Sequence, residues 1–244
     1  MTEQPFTKRA KAALRSLAAS GRFNLYVALA VASVGACVML TLRMNRYDSS
    51  AYAFLGWNLM LAAIPFVVSQ WLAVFPPRTK ATFVGGLAFW LLFFPNAPYI
   101  VTDLIHLRHY ATVPLWFDVV LLMSFASIGV LFGLLSLLDI HRIIESRAGR
   151  SAGWLSVTGA IVLGSFGVFV GRYLHWNSWN VLTHPIELLR DIANSLLHPA
   201  ADPTAYGVTA AFSLFLIIGY LVLRSLAHLK LAAELAVSER TGLQ

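Results

Sequence analysis

Six stretches of this chain are too long and too apolar to be left in water, and they restrict it to a small set of architectures. Residues 24–42, 51–75, 114–138, 153–171 and 205–223 each run for at least 19 mostly apolar residues. About 20 helical residues cross a hydrocarbon core of roughly 30 Å. A segment in hydrocarbon must satisfy its own backbone, so the spacing predicts an all-α, polytopic membrane protein of six helices. The sixth stretch, 82–101, is interrupted by Pro95 and Pro98 and predicts a broken third helix. A composition of 58% hydrophobic and 12% charged residues agrees with a membrane chain and not with a soluble domain.

The charges set the expected orientation. Of 18 Lys and Arg, thirteen lie at the N-terminus, in the 76–81 and 139–152 connections and in the tail from Arg224; five (Arg43, Arg46, Arg108, Arg172 and Arg190) lie at the other helix ends. By the positive-inside rule both termini are expected in the cytoplasm. The net charge of +7 is then a consequence of topology. Its scatter over short loops argues against nucleic-acid binding. The expected organisation is a basic cytoplasmic segment over 1–23 lying on anionic lipid, one transmembrane domain over 24–223, and a cytoplasmic tail over 224–244 forming a helical extension at the surface. A secretory signal and a lipoprotein box at Val34-Gly35-Ala36-Cys37 are set aside, because the apolar run continues beyond Cys37 to Leu42. Cys37 is the only cysteine, which excludes an internal disulfide and a cysteine-based metal site and suggests a small packing residue.

Two polar, aromatic-rich clusters fall on the outer side. The first is Phe94-Pro95-Asn96-Ala97-Pro98-Tyr99 followed by Thr102, Asp103 and His106. Two prolines three apart leave carbonyls near Leu91 and Phe94 without helical donors, which is tolerated at membrane depth only where protein groups or a hydrated cavity satisfy them. Asn96 is placed to cap a restarted helix as an acceptor, with Pro98 in its first turn. In that helix Tyr99, Asp103, His106 and Tyr110 form one stripe. Asp103 and His106 are thus candidate catalytic residues, as an acid/base pair or metal ligands. The alternative is the solvated side of an interfacial helix with its tyrosines in the headgroup belt.

The second cluster is Gly171-Arg172-Tyr173-Leu174-His175-Trp176-Asn177-Ser178-Trp179-Asn180. Arg172 offers a planar five-donor fork suited to a carboxylate, either Asp103 or Asp118, or to an anionic ligand. Asp118, one turn inside the fourth helix, is a candidate by its cost in a membrane. Asn96, Tyr99, Asp118, Arg172 and Asn177 are the candidate ligand-binding residues. From His184-Pro185 an amphipathic stretch, with Ile186, Leu189, Ala193 and Leu197 opposite Glu187, Arg190, Asp191 and Asn194, is expected to lie flat and roof the site. Gly129, Gly133, Gly164, Gly167 and Gly171 predict close helix packing, and Asp139, His141 and Arg142 a solvated helix end.

These two motifs resemble those of the domain of unknown function 1361 family, bacterial integral membrane proteins, over residues 55–220. The resemblance implies a bacterial cytoplasmic membrane location and carries no activity. The family pattern has Arg more often than His at position 175 and Asp more often than Asn at 180, which counts against His175 as a metal ligand. Three functions stay open from the residues. One is binding or transport of a small or lipid-borne anionic ligand; the second is an enzyme, with a metal ion or without, acting on a lipid-linked substrate at the outer leaflet, its third ligand drawn from Asp118, His109 or His175. The third is a structural or assembly role. Cofactor, metal and oligomeric state are not specified by the sequence.

Overall fold

The computed structural model describes residues 22–47, 49–77, 79–108, 113–198 and 202–241, with side chains as far as Leu229. The expectations for the basic segment before Arg22 and for His109 and Tyr110 lie outside the described residues. Among the described residues six helical spans are long and apolar enough to cross a membrane: α1 (Arg22–Tyr47), α2 (Phe54–Val74), α3 (Lys80–Phe93) with its continuation to His106, α5 (Leu115–Ala148), α6 (Arg150–Arg172) and the first part of α9 (Pro203–Thr241). The protein is therefore an all-α, multi-pass membrane protein. Between α3 and α5 the chain forms the short helix α4 (Asn96–Tyr99) and a 3-10 helix, Ile100–His106; between α6 and α9 it forms α7 (Asn180–Thr183) and α8 (Pro185–Leu197). α9 passes residue 224 without interruption.

Long-range ion pairs fix the alternation of the spans. Arg22, at the start of α1, donates to Asp139 near the end of α5 at 2.7 Å, while Arg43, near the end of α1, meets Asp118 at the start of α5. α1 and α5 are consequently antiparallel. The helix ends at residues 47, 54, 106, 115, 172 and 203 lie on one face, called the site face below. α5 is the central element: Leu121, Phe125, Leu137 and several neighbours along it are fully buried. α1 is peripheral and turns Val31, Val34 and Val38 outward. Cys37 shares that outward surface instead of packing inside, as a lipid-facing position allows.

The core forms two clusters that share α2 and α5. Toward the site face, Leu40, Tyr52, Leu55, Ile100, Leu121 and Phe125 bring α1, α2, the 3-10 helix and α5 together. Toward the other face, Leu72, Trp90, Phe94, Leu137, Val157 and Tyr220 join α2, α3, α5, α6 and α9. The Pro95/Pro98 break sits where these regions meet, and the glycines explain why it fits. A Cβ on Gly133 would come within 2.8 Å of Ala97, on Gly164 within 2.5 Å of the Phe94 ring, and on Gly167 within 2.5 Å of Pro95; one on Gly129 would run into Ile100. The small residues of α5 and α6 thus form a groove that holds the broken segment.

At the opposite face, Asp139 and His141 depart from the expected solvated terminus. Asp139 is buried and accepts from Arg22 and Gln70. His141 is fully buried between Trp154 and Tyr220, hydrogen-bonded to the Tyr220 hydroxyl and to Arg224, whose guanidinium donates to Nδ1 at 2.8 Å. α5 runs on beyond the bilayer's hydrocarbon thickness, and α6 and α9 accompany it, so its polar end is covered by neighbours.

Candidate functional site

The proline break delivers its backbone groups to side chains of the second cluster. Pro95 has no N–H to donate to the Leu91 carbonyl, and one residue further on the Leu92 carbonyl accepts from the Ser178 hydroxyl at 3.0 Å. The Phe93 carbonyl accepts from Asn96 Nδ2 at 2.9 Å, and the same amide donates to Ser178 Oγ at 3.1 Å. Asn96 is therefore a donor that ties the break together, not the acceptor cap expected of it; Pro95 occupies the N-cap position with no side-chain bond. Side chains of the protein thus satisfy the Leu92 and Phe93 carbonyls at membrane depth.

After α4 the backbone tightens from α to 3-10 geometry. With about three residues per turn, Ile100, Asp103 and His106 fall in register. This changes the environment of Asp103, which points into the bundle at 1% exposure instead of lying on a solvated stripe. Asp103 accepts from Arg172 Nη2 at 2.6 Å through Oδ1 and from Asn58 Nδ2 at 2.7 Å through Oδ2. Arg172 also donates from Nε to Thr102 Oγ1 at 2.8 Å and from Nη1 to His106 Nε2 at 3.1 Å, with its guanidinium over the Tyr99 ring at 4.6 Å. One guanidinium so binds three residues of the 3-10 helix. It also stands between Asp103 and His106, where a cation shared by the two would have to sit. Among the described residues no three His, Cys, Asp or Glu side chains gather as a metal site.

Asp118 goes elsewhere. It forms a two-point pair with Arg43, Nε to Oδ1 at 2.6 Å and Nη2 to Oδ2 at 3.0 Å, both side chains being essentially inaccessible. The two ion pairs communicate through Tyr52, whose ring lies 4.2 Å from the Arg43 guanidinium and whose hydroxyl donates to the His106 carbonyl at 3.1 Å. Arg43, Asn58, Tyr52 and Thr102 are the participants that sequence reasoning did not assign. Asn58, an amide inside an apolar run, and Arg43, a cation at the end of one, carried the signal: an intramembrane polar group implies a partner.

In front of the Arg172 cluster lies a cavity of about 280 Å³. Asn58 and Tyr99, which hold the ion pair, form part of its wall, along with Trp57, Asn96, Trp176 and Asn177. Apolar side chains of α3 and α6 line much of the remainder, and Leu188 and Ile192 of α8 close it from above. Trp176 Nε1 donates to Asp191 on α8 at 2.9 Å, fastening the roof to the loop. α8 is rotated relative to expectation: Leu188, Ile192 and Ser195 face the bundle, while Ile186, Leu189 and Leu197 are exposed. The apolar residues form two faces, and the bundle takes the narrower one. His175 is exposed at a positive φ of 60° and does not line the cavity.

These features define an integral membrane protein with a proline-broken helix, locked by a buried guanidinium cluster beside a cavity at one membrane face. Residues 57–219 match the family described as "Protein of unknown function (DUF1361)", and the chain belongs to that family. No curated protein and no solved structure matches the chain.

Proposed function

We propose that this protein binds a lipid-borne ligand in the cavity at its site face, and that this face looks into the periplasm from a bacterial inner membrane. The orientation rests on the excess of Lys and Arg at the opposite helix ends. The binding reading rests on the cavity. A segment that only scaffolds the fold has no use for about 280 Å³ of space bounded by three asparagines, a tyrosine and two tryptophans. Trp57, Val181 and Leu182 are exposed beside it, so an apolar chain attached to the ligand can lie along the bundle surface.

This reading is better supported than catalysis by Asp103 and His106. The carboxylate is taken by Arg172 and Asn58, and the imidazole nitrogen by Arg172. Neither residue lines the cavity, so their support for the ligand runs through Asn58 and Tyr99. An anionic group could recruit Arg172 only in competition with Asp103. The test is native mass spectrometry of the protein released from its own membrane. A tightly retained amphiphile should accompany the wild type and be lost from Ile192→Trp, which fills the cavity from the roof. Equal retention by both would remove the cavity from the function.

A further inference from the structure

The charge and hydrogen-bonding character of the cavity narrow the class of ligand, an inference that rests on the binding reading above. Among the described residues no Asp, Glu, Lys, Arg or His side chain lines it. Arg172 packs over the Tyr99 ring and is neutralised by Asp103 at 2.6 Å. An anionic head group would find no free countercharge. A cationic one would face the same guanidinium across Tyr99 with no carboxylate on the wall.

What the wall offers is oriented amides. Asn58 and Asn96 each commit Nδ2 to the protein, Asn58 to Asp103 and Asn96 to Phe93 and Ser178. That fixes which end of each amide is the acceptor, and neither Oδ1 takes a bond from the described residues. The Tyr99 hydroxyl and the Asn177 side-chain amide likewise have no hydrogen-bond partner among the described residues. Two fixed acceptors, beside two groups able to donate or accept, call for a ligand carrying several donors that also accept. Hydroxyl groups meet that requirement. Trp57, Trp176 and Phe166 add flat apolar surfaces suited to the C–H face of a sugar ring. The volume lies just below the roughly 300–1,000 Å³ usual for ligand sites, which restricts the head group to about one ring.

We infer that the cavity receives an uncharged, hydroxyl-rich head group, a single saccharide ring carried on a lipid. The test uses the full chain in phosphatidylcholine nanodiscs containing equal small fractions of monoglucosyl diacylglycerol, phosphatidylglycerol and a trimethylammonium diacyl lipid, with the lipid retained on ejection measured by native mass spectrometry. Glucosyl lipid should be retained about tenfold over either charged lipid, Asn177→Ala should lower that preference several-fold, and Val181→Trp should abolish it with helical content unchanged. Preferential retention of phosphatidylglycerol or of the trimethylammonium lipid overturns the head-group inference and leaves the binding reading standing. Retention of all three at the level of Val181→Trp overturns both. Displacement of the glucosyl lipid by an equal concentration of free methyl glucoside keeps the saccharide and overturns the lipid-borne origin.

Discussion

Arg172 and Asp103, 69 residues apart in sequence, are joined at 2.6 Å inside the bundle. The pair links the end of α6 to the turn that follows the broken third span. Taking two charges out of water is costly, and the attraction repays it only because Asn58, Thr102 and His106 complete the hydrogen bonding. Removing one partner should therefore be worse than removing both. Asp103→Asn or Arg172→Gln alone is expected to destabilise by about 3–5 kcal/mol, as for other broken buried pairs. The double variant should lose less than the sum, and melting of the four proteins in detergent checks this. Additive losses would mean the pair is not an energetic unit.

The Arg43–Asp118 pair is expected to be structural and separable from the cavity. Asp118→Asn should lower the melting temperature, whereas Arg43→Met combined with Asp118→Leu should recover most of the loss, since an apolar pair avoids the desolvation cost. Both proteins, once folded, should retain the same co-purifying lipid as the wild type by mass spectrometry. Loss of that lipid from the double variant would bring Asp118 back into the binding site.

The glycine groove predicts a positional contrast. Gly164→Ala puts a methyl group 2.5 Å from the Phe94 ring and should cost about 1–3 kcal/mol by overpacking. Gly159→Ala, one turn away with nothing within 4 Å, should be neutral or slightly stabilising. Thermal melting of the two side by side reads the difference; equal behaviour would discount the groove.

Topology is checked with single cysteines in a Cys37→Ala background. Cysteine at Arg190, exposed on α8, should react with an impermeant maleimide added outside spheroplasts, and cysteine at Ser151, exposed in the first turn of α6, only after lysis. The reverse pattern would invert the protein and place its cavity in the cytoplasm.

The spans, their order and the interruption at Pro95 and Pro98 were determined by the sequence alone, because each is a local property. A run of some 19 apolar residues has no alternative to a helix in hydrocarbon, and a proline cannot donate to the ladder wherever the helix sits. The glycines of α5 and α6 were legible as close-packing positions for the same reason. Which backbone they receive was not, since that depends on the rotation of three helices about their axes. The tertiary structure also decided the pairing of the charges. Asp103 and Asp118 were equivalent candidates for Arg172 on residue type. The 3-10 tightening that turns Asp103 inward, together with Arg43 arriving from α1, gave each carboxylate its own guanidinium. The rotation of α8 and the burial of His141 were settled in the same way, by neighbours distant in sequence covering a surface that a local periodicity assigns to water.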